Sequence, residues 1–231
     1  MRGTILWDFD GTLAERPFLW SGSIKAALNS HEPGNSIQLE EIRKFTKDLC
    51  PWNDPSQEYG HLVEPAKWWS HVGKKIEAIF EKFIDDQNFI KSGMQHVQCS
   101  VWDASKYQVY PDTGPTLKQL SDSGWDHVIV SNNFPELDEI VAKLEFAPLI
   151  SRVFSSARIG FEKPRPELFH YILEKIEHRQ KIWMVGDNEV ADAWGAEKAG
   201  IPAILVRKPT NSFHRRGADL YEAAKIISCG L

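Results

Sequence analysis

Five short apolar runs recur along this chain: Thr4 to Trp7, His127 to Val130, Arg152 to Phe154, Lys181 to Val185 and Ala203 to Val206, each flanked by polar turns. Runs this short, without an alternating polar face, suit the strands of a parallel sheet, because helices cover both faces of such a sheet. Between the later runs the apolar period becomes helical. Leu137, Ile140, Val141 and Leu144 follow Pro135, and Leu168, Phe169, Ile172, Leu173 and Ile176 follow Pro166. Strand, helix and strand, several times repeated, predict an α/β fold with a doubly wound parallel sheet. Ligands of such sheets gather at the carboxyl ends of the strands.

The stretch from Pro17 to Tyr110 has another texture, with no strand-like run. Leu39, Ile42, Phe45 and Leu49 make one helical stripe, and Trp69, Val72, Ile76, Phe80 and Phe83 a longer one. The expected organisation is therefore a core domain from 1–16 and 111–231, interrupted by an all-helical domain from 17–110. With 231 residues, 42% of them hydrophobic, the chain can bury both. The segment CPWNDPSQEYGHLVEP, from Cys50 to Pro65, reads as a surface connection with several turns, long enough to be a candidate for function.

A net charge of −5 gives no basic field for nucleic acid, and no apolar run approaches the length of a membrane span. Cys50, Cys99 and Cys229 are odd in number and lack the spacing of a zinc site. The N-terminal residues lead straight into a strand, without the cationic start and long apolar region of a secretory signal. The expectation is a cytoplasmic protein with reduced thiols.

Four polar stations punctuate the strand ends. In DFDGT, Asp8 and Asp10 close the first run and Gly11 permits a turn; paired carboxylates can divide nucleophilic and proton-transfer work, and with backbone carbonyls they suit Mg²⁺. In VIVSNN, Ser131, Asn132 and Asn133 offer a hydroxyl and backbone N–H groups to an anionic oxygen. In FEKPRPELF, Lys163 stands before Pro164, which holds it extended, and its ammonium suits a phosphoryl group. In GDNEVADAW, Asp187 ends a strand and Asp192 enters the next helix, a second acidic pair for a metal. Each also has an ordinary reading, as turn chemistry, a solvated lysine, or acids favoured by a helix N-terminus.

Together, in type, order and placement, the stations resemble motifs I to IV of the haloacid dehalogenase superfamily of phosphotransferases, and the insertion resembles the helical cap of its C1-type members. That resemblance implies a Rossmann-like core and a Mg²⁺-dependent phosphatase acting on a small phosphorylated metabolite through an aspartyl-phosphate. Asp8 would be the nucleophile and Asp10 the acid and base. Ser131, Asn132 and Lys163 would bind the phosphoryl group, and Mg²⁺ would meet the Asp8 carboxylate, the Asp10 carbonyl and Asp187, with Asp192 direct or through water. Asp10 argues against a dehalogenase, whose halide leaves without a proton. Asn188 stands where many relatives have serine, and AERPFLW replaces the acidic continuation of the phosphoglycolate phosphatases. The same residues would also serve a phosphotransferase or mutase, or persist in a non-catalytic binding member.

Arg16 is expected either to meet a second anionic group of the substrate or to be a solvated hinge residue. Trp20, Trp52, Trp68, Trp69 and Trp102 either stack on a ring-bearing substrate or fill the cap and its interface with the core. Arg207, Lys208, His214, Arg215 and Arg216 read most simply as a solvated face.

Overall fold

A computed structural model describes residues 3–176, 181–208 and 212–229. The chain starts in β1 (Gly3–Trp7), leaves it through the Asp8–Thr12 turn and enters the two-residue β2 (Ala14–Glu15). A helical insertion follows: α1 (Leu19–His31), α2 (Leu39–Arg43), α3 (Pro65–Phe80) and α4 (Gln87–Val101). It returns through β3 (Gln108–Val109), which pairs antiparallel with β2 and closes the neck of the insertion. This ribbon gave no apolar run to detect, being two residues per strand.

The alternating half then runs α5 (Thr113–Asp122), β4 (Trp125–Ser131), α6 (Leu137–Val141), β5 (Arg152–Ser155), α7 (Pro166–Lys175), β6 (Ile182–Gly186), α8 (Gly195–Lys198), β7 (Ala203–Val206), β8 (Arg216–Gly217) and α9 (Leu220–Cys229). Six of the strands form one parallel sheet in the order β5-β4-β1-β6-β7-β8. All five apolar runs lie in it. The order reverses around β1, so the carboxyl end of β1, where Asp8 stands, is the switch point at which a doubly wound sheet opens a crevice.

Successive strand residues serve opposite layers, as a period of two requires. Leu6, Val128, Val130, Met184 and Leu205 pack with Phe169 and Ile172 of α7. Ile5, Trp7, Ile129, Val185 and Ile204 pack with Leu117 of α5, Ala223 of α9 and the apolar side of the insertion. Inside that second layer the Trp7 indole donates to His127 Nδ1 at 3.0 Å, and His127 Nε2 lies 2.9 Å from the Leu117 carbonyl. Burial lowers the His127 imidazole to about 4, so it stays neutral and links β1, β4 and α5.

Two helical stripes are shorter than their periodicity predicts. The first helix of the Leu39-to-Leu49 stripe ends at Arg43, where the Thr46 hydroxyl turns back to the Arg43 carbonyl and offers the backbone an alternative to continued helix. Likewise α6 stops at Val141, three residues short of Leu144, in a tight turn.

Candidate active site

Chain reversal at the end of β1 builds the first half of the site. The Asp8 amide still donates to the Val185 carbonyl of β6 at 2.9 Å, so the nucleophile candidate is anchored to the sheet. Immediately beyond, Gly11 adopts φ +85, and a Cβ there would lie 2.6 Å from Asp187 Oδ2. Glycine is needed at that turn both for its conformation and for the closeness of the opposite acid. Thr12 folds back, its hydroxyl donating to Asp8 Oδ2 at 3.3 Å.

Lys163 crosses to this turn from the loop before α7. Its ammonium donates to Asp8 Oδ1 at 2.7 Å, Asp192 Oδ1 at 2.5 Å and the Val130 carbonyl at 2.9 Å. Those three acceptors satisfy its donors, and the charge survives burial for that reason. Desolvation alone would lower its pKa, but the Asp192 and Asp8 carboxylates raise it above the usual lysine value. The backbone of Lys163 is held as firmly. Asn132 Oδ1 accepts its N–H at 2.7 Å while Asn132 Nδ2 donates to its carbonyl at 2.9 Å. Asn132, expected at the phosphoryl group, thus uses its amide to fix the lysine.

Motif four is a strand end followed by a π-helical turn, Glu189–Trp194. Asn188 caps it, its Oδ1 accepting from the amides of Val190 and Ala191 at 3.0 Å each. That cap turns Asp192 inward, where Oδ2 accepts from the Asn188 amide at 2.9 Å. Burial, with Asp8 nearby, pushes the Asp192 carboxyl up to about 7 against the pull of Lys163. Asp8, Asp187 and Asp192 each offer a carboxylate oxygen within 4.8 Å of the others, all three buried. Lys163 and Lys208 offset two of the three charges, and three hard oxygen donors so close together, still net anionic, fit Mg²⁺.

Asp10 lies beside this cluster rather than in it. Asn133 Nδ2 donates to its Oδ2 at 2.6 Å. Desolvation first, then the charge of Asp8, raise its carboxyl to about 7 against that hydrogen bond. A carboxyl poised there can be proton donor or acceptor near neutral pH. The sequence placed Asn133 in the SNN station for its backbone N–H alone, and gave no sign that its side-chain amide would meet Asp10. Ser131 is buried at the end of β4, its hydroxyl within 3.5 Å of the Asn133 amide nitrogen.

Arg16 goes elsewhere. Its guanidinium donates to the carbonyls of Val101 at 2.8 Å and Ser100 at 2.6 Å, and lies over the Tyr107 ring. The last carbonyls of α4 have no partners within the helix, and Arg16 supplies them. It therefore braces the neck of the insertion and is not brought to the acidic cluster. Nor are the basic residues near the C-terminus a simple solvated face. Arg207 bonds Asp112 and the Thr12 carbonyl and stacks on Tyr110, Lys208 pairs with Asp187, and Arg215 pairs with Glu197.

A cavity of about 370 Å³ opens over the cluster, lined by Asp8, Asp10, Ser131, Lys163 and Asp187 from the core and by Trp52, Asn53 and Pro55 from the long insertion loop. Trp20, Trp68, Trp69 and Trp102 pack among themselves and against Phe134, and Trp69 also donates to Glu136 of the core. Most of the tryptophans thus serve the interior and the interface.

This chain belongs to the haloacid dehalogenase-like hydrolases, whose family model matches residues 3–200. It is 30% identical over 218 residues to a glyceraldehyde 3-phosphate phosphatase of Methanothermobacter thermautotrophicus, a match covering 93% of this chain and 90% of that one. A phosphoserine phosphatase of Thermus thermophilus is 31% identical over 68% of this chain and 67% of its own. With a ribulose-1,5-bisphosphate 5-phosphatase of Halopiger xanaduensis the identity is 31%, and the chain spans about half of that relative's length, 51%. Among solved structures, the magnesium-bound HAD-hydrolase YfnB of Bacillus subtilis superposes with a TM-score of 0.72 at 19% identity, covering 99% of this chain and 100% of that one. An L-2-haloacid dehalogenase of Xanthobacter autotrophicus gives 0.66 at 15% identity over 100% of both. At those identities the likeness is one of fold.

Proposed function

We propose that the protein is a Mg²⁺-dependent phosphatase that hydrolyses a small phosphomonoester through an aspartyl-phosphate on Asp8. The observation that carries this reading is the buried juxtaposition of Asp8 with Lys163, 2.7 Å apart, and of both with Asp10, whose carboxyl is raised to about 7. The phosphatase relatives support the reaction class.

Asp8, Asp187 and Asp192 would hold the Mg²⁺, together with the backbone carbonyl of Asp10. When bound, the ion supplies positive charge that cancels the repulsion among these carboxylates and the incoming phosphoryl group. An Asp8 carboxylate oxygen attacks phosphorus in line, forming the P–O bond to Asp8 as the bond to the leaving oxygen breaks. Asp10 gives its proton to that leaving oxygen. As a carboxylate it then takes a proton from the water that attacks the aspartyl-phosphate, which regenerates both aspartates and releases phosphate. Lys163 exchanges its Asp8 contact for a phosphoryl oxygen while Val130 and Asp192 continue to hold it, and the Ser131 hydroxyl donates to another. The helical insertion acts as a cap, its Trp52-to-Pro55 segment covering the cavity and excluding water.

Asp8→Asn keeps the side-chain volume but removes the nucleophile. We expect Mg²⁺-dependent phosphate release from p-nitrophenyl phosphate to fall at least about 1,000-fold in this variant, with unchanged circular dichroism. A folded variant retaining near-normal turnover would overturn the assignment.

A further inference from the structure

The cavity above the acidic cluster has two differently built parts. Its floor carries all of its charged side chains, four carboxylates and the Lys163 ammonium. The rest of the lining is uncharged and includes Trp52, Asn53 and Pro55 from the insertion and Val190 and Ala191 from the π-helical turn. Val190 is an exposed apolar residue, 61% accessible, at the rim. Trp52 is set in place from behind, its ring 5.9 Å from Trp68 with 22° between the planes, and 6.3 Å from Trp20. A ring so held presents a preformed apolar surface at little cost in side-chain freedom.

The nearby cations do not alter this. Arg16 is bound to the end of α4, Arg207 to Asp112 and the Thr12 carbonyl, and Arg165 to Glu58 and Glu167. Lys208 pairs with Asp187. Among the described residues the lining holds one cation, Lys163, and the phosphoryl group needs it.

From these walls we infer that the site takes phosphomonoesters with an uncharged leaving group, which lies between Trp52 and Val190, and that it disfavours leaving groups bearing a second anion. This rests on the phosphatase reading and adds to it the class of alcohol released. A carboxylate or second phosphate about 7 Å from the floor would be repelled by the bound phosphoryl group and would find no further cation in the cavity lining, a penalty on the order of 10- to 100-fold in kcat/KM.

The test uses matched pairs with the full chain and Mg²⁺: phenyl phosphate against 4-carboxyphenyl phosphate, and glycerol 3-phosphate against 3-phosphoglycerate. We expect the uncharged member of each pair to be favoured about 10- to 100-fold. Val190→Lys, at an exposed position, should narrow both ratios several-fold by improving the carboxylate member. Trp52→Ala should raise KM for phenyl phosphate more than for glycerol 3-phosphate. Equal or better turnover of the carboxylate members, with ratios unmoved by Val190→Lys, would overturn the inference. Calorimetric binding of each pair to the Asp8→Asn protein reads the same preference without turnover. Preference without phosphate release would retire the phosphatase reading and keep the subsite. Tighter binding of the carboxylate members, or binding of neither, would remove the subsite itself.

Discussion

Glu162 shows how much one side chain can matter next to the site without touching the chemistry. It is fully buried beside Lys163 and near Cys50 of the insertion, and neither of its oxygens makes a well-formed hydrogen bond among the described residues. Burial pushes its carboxyl from 4.5 up to about 7, against Ser156 and the Lys163 charge. Between those values the folded protein keeps a proton that the unfolded chain has released. The contribution of this group is therefore full below about pH 4.5 and is lost as pH rises through 7, a loss on the order of 3 kcal/mol. Glu162→Gln cannot ionise. In urea unfolding the variant should exceed the wild type by about 2–3 kcal/mol at pH 8, and the gap should close toward pH 4.5. A gap that does not change with pH would mean that Glu162 is ionised in the folded protein throughout.

Strand ends and loop contacts set the next level of organisation. The insertion loop meets the core where the Tyr59 amide donates to the Gly160 carbonyl at 2.9 Å. Gly160 has φ +86, and a Cβ there would fall 2.7 Å from Gly60 Cα, backbone against backbone. Gly160→Ala cannot relieve that overlap by turning a side chain, so the loop has to lift from the core. We expect a loss of about 2 kcal/mol in stability and faster hydrogen exchange at the Tyr59 amide. Unchanged exchange at that amide would show that the loop is held by other contacts. Since the same loop carries Trp52 and Asn53 to the cavity, the variant should also raise KM.

For the folded chain as one thermodynamic unit, the three clustered carboxylates share two lysine partners, Lys163 and Lys208, and the net negative charge that remains is one a divalent cation would offset. Mg²⁺ at about 100 times its dissociation constant would add about 2.7 kcal/mol. For a chain of this size that corresponds to a rise in Tm of about 5–10 °C. The rise should vanish with a chelator and be absent in Asp187→Asn, whose side chain no longer offers a charged oxygen to the cluster. An equal rise in that variant would place the ion elsewhere. Among the described residues no helix is long and apolar enough to cross a membrane.

Most of the parallel sheet was legible because β1, β4, β6 and β7 are buried on both faces, which writes a continuous apolar run into each, and three of the four polar stations follow such runs; the edge strand β8, Arg216–Gly217, and the Lys163 loop do not. Asp8, Asp10, Lys163, Asp187 and Asp192 each had an ordinary reading alone and could be singled out because together they resemble the ordered motifs of one superfamily. Their pairing could not. Lys163 is 155 residues from Asp8 and meets it only because the sheet order puts β1 between β4 and β6. Arg16 lies next to motif one in sequence, yet the unpartnered carbonyls of α4, brought near by the β2–β3 neck, claim its guanidinium. Asn132 and Asn133 are neighbours facing different tasks, one on the Lys163 backbone and one on Asp10, a division made by the direction of the chain after β4. Local sequence writes burial and turn chemistry, which depend on near neighbours. Hydrogen-bond partners across more than a hundred residues depend on where the fold places each strand end.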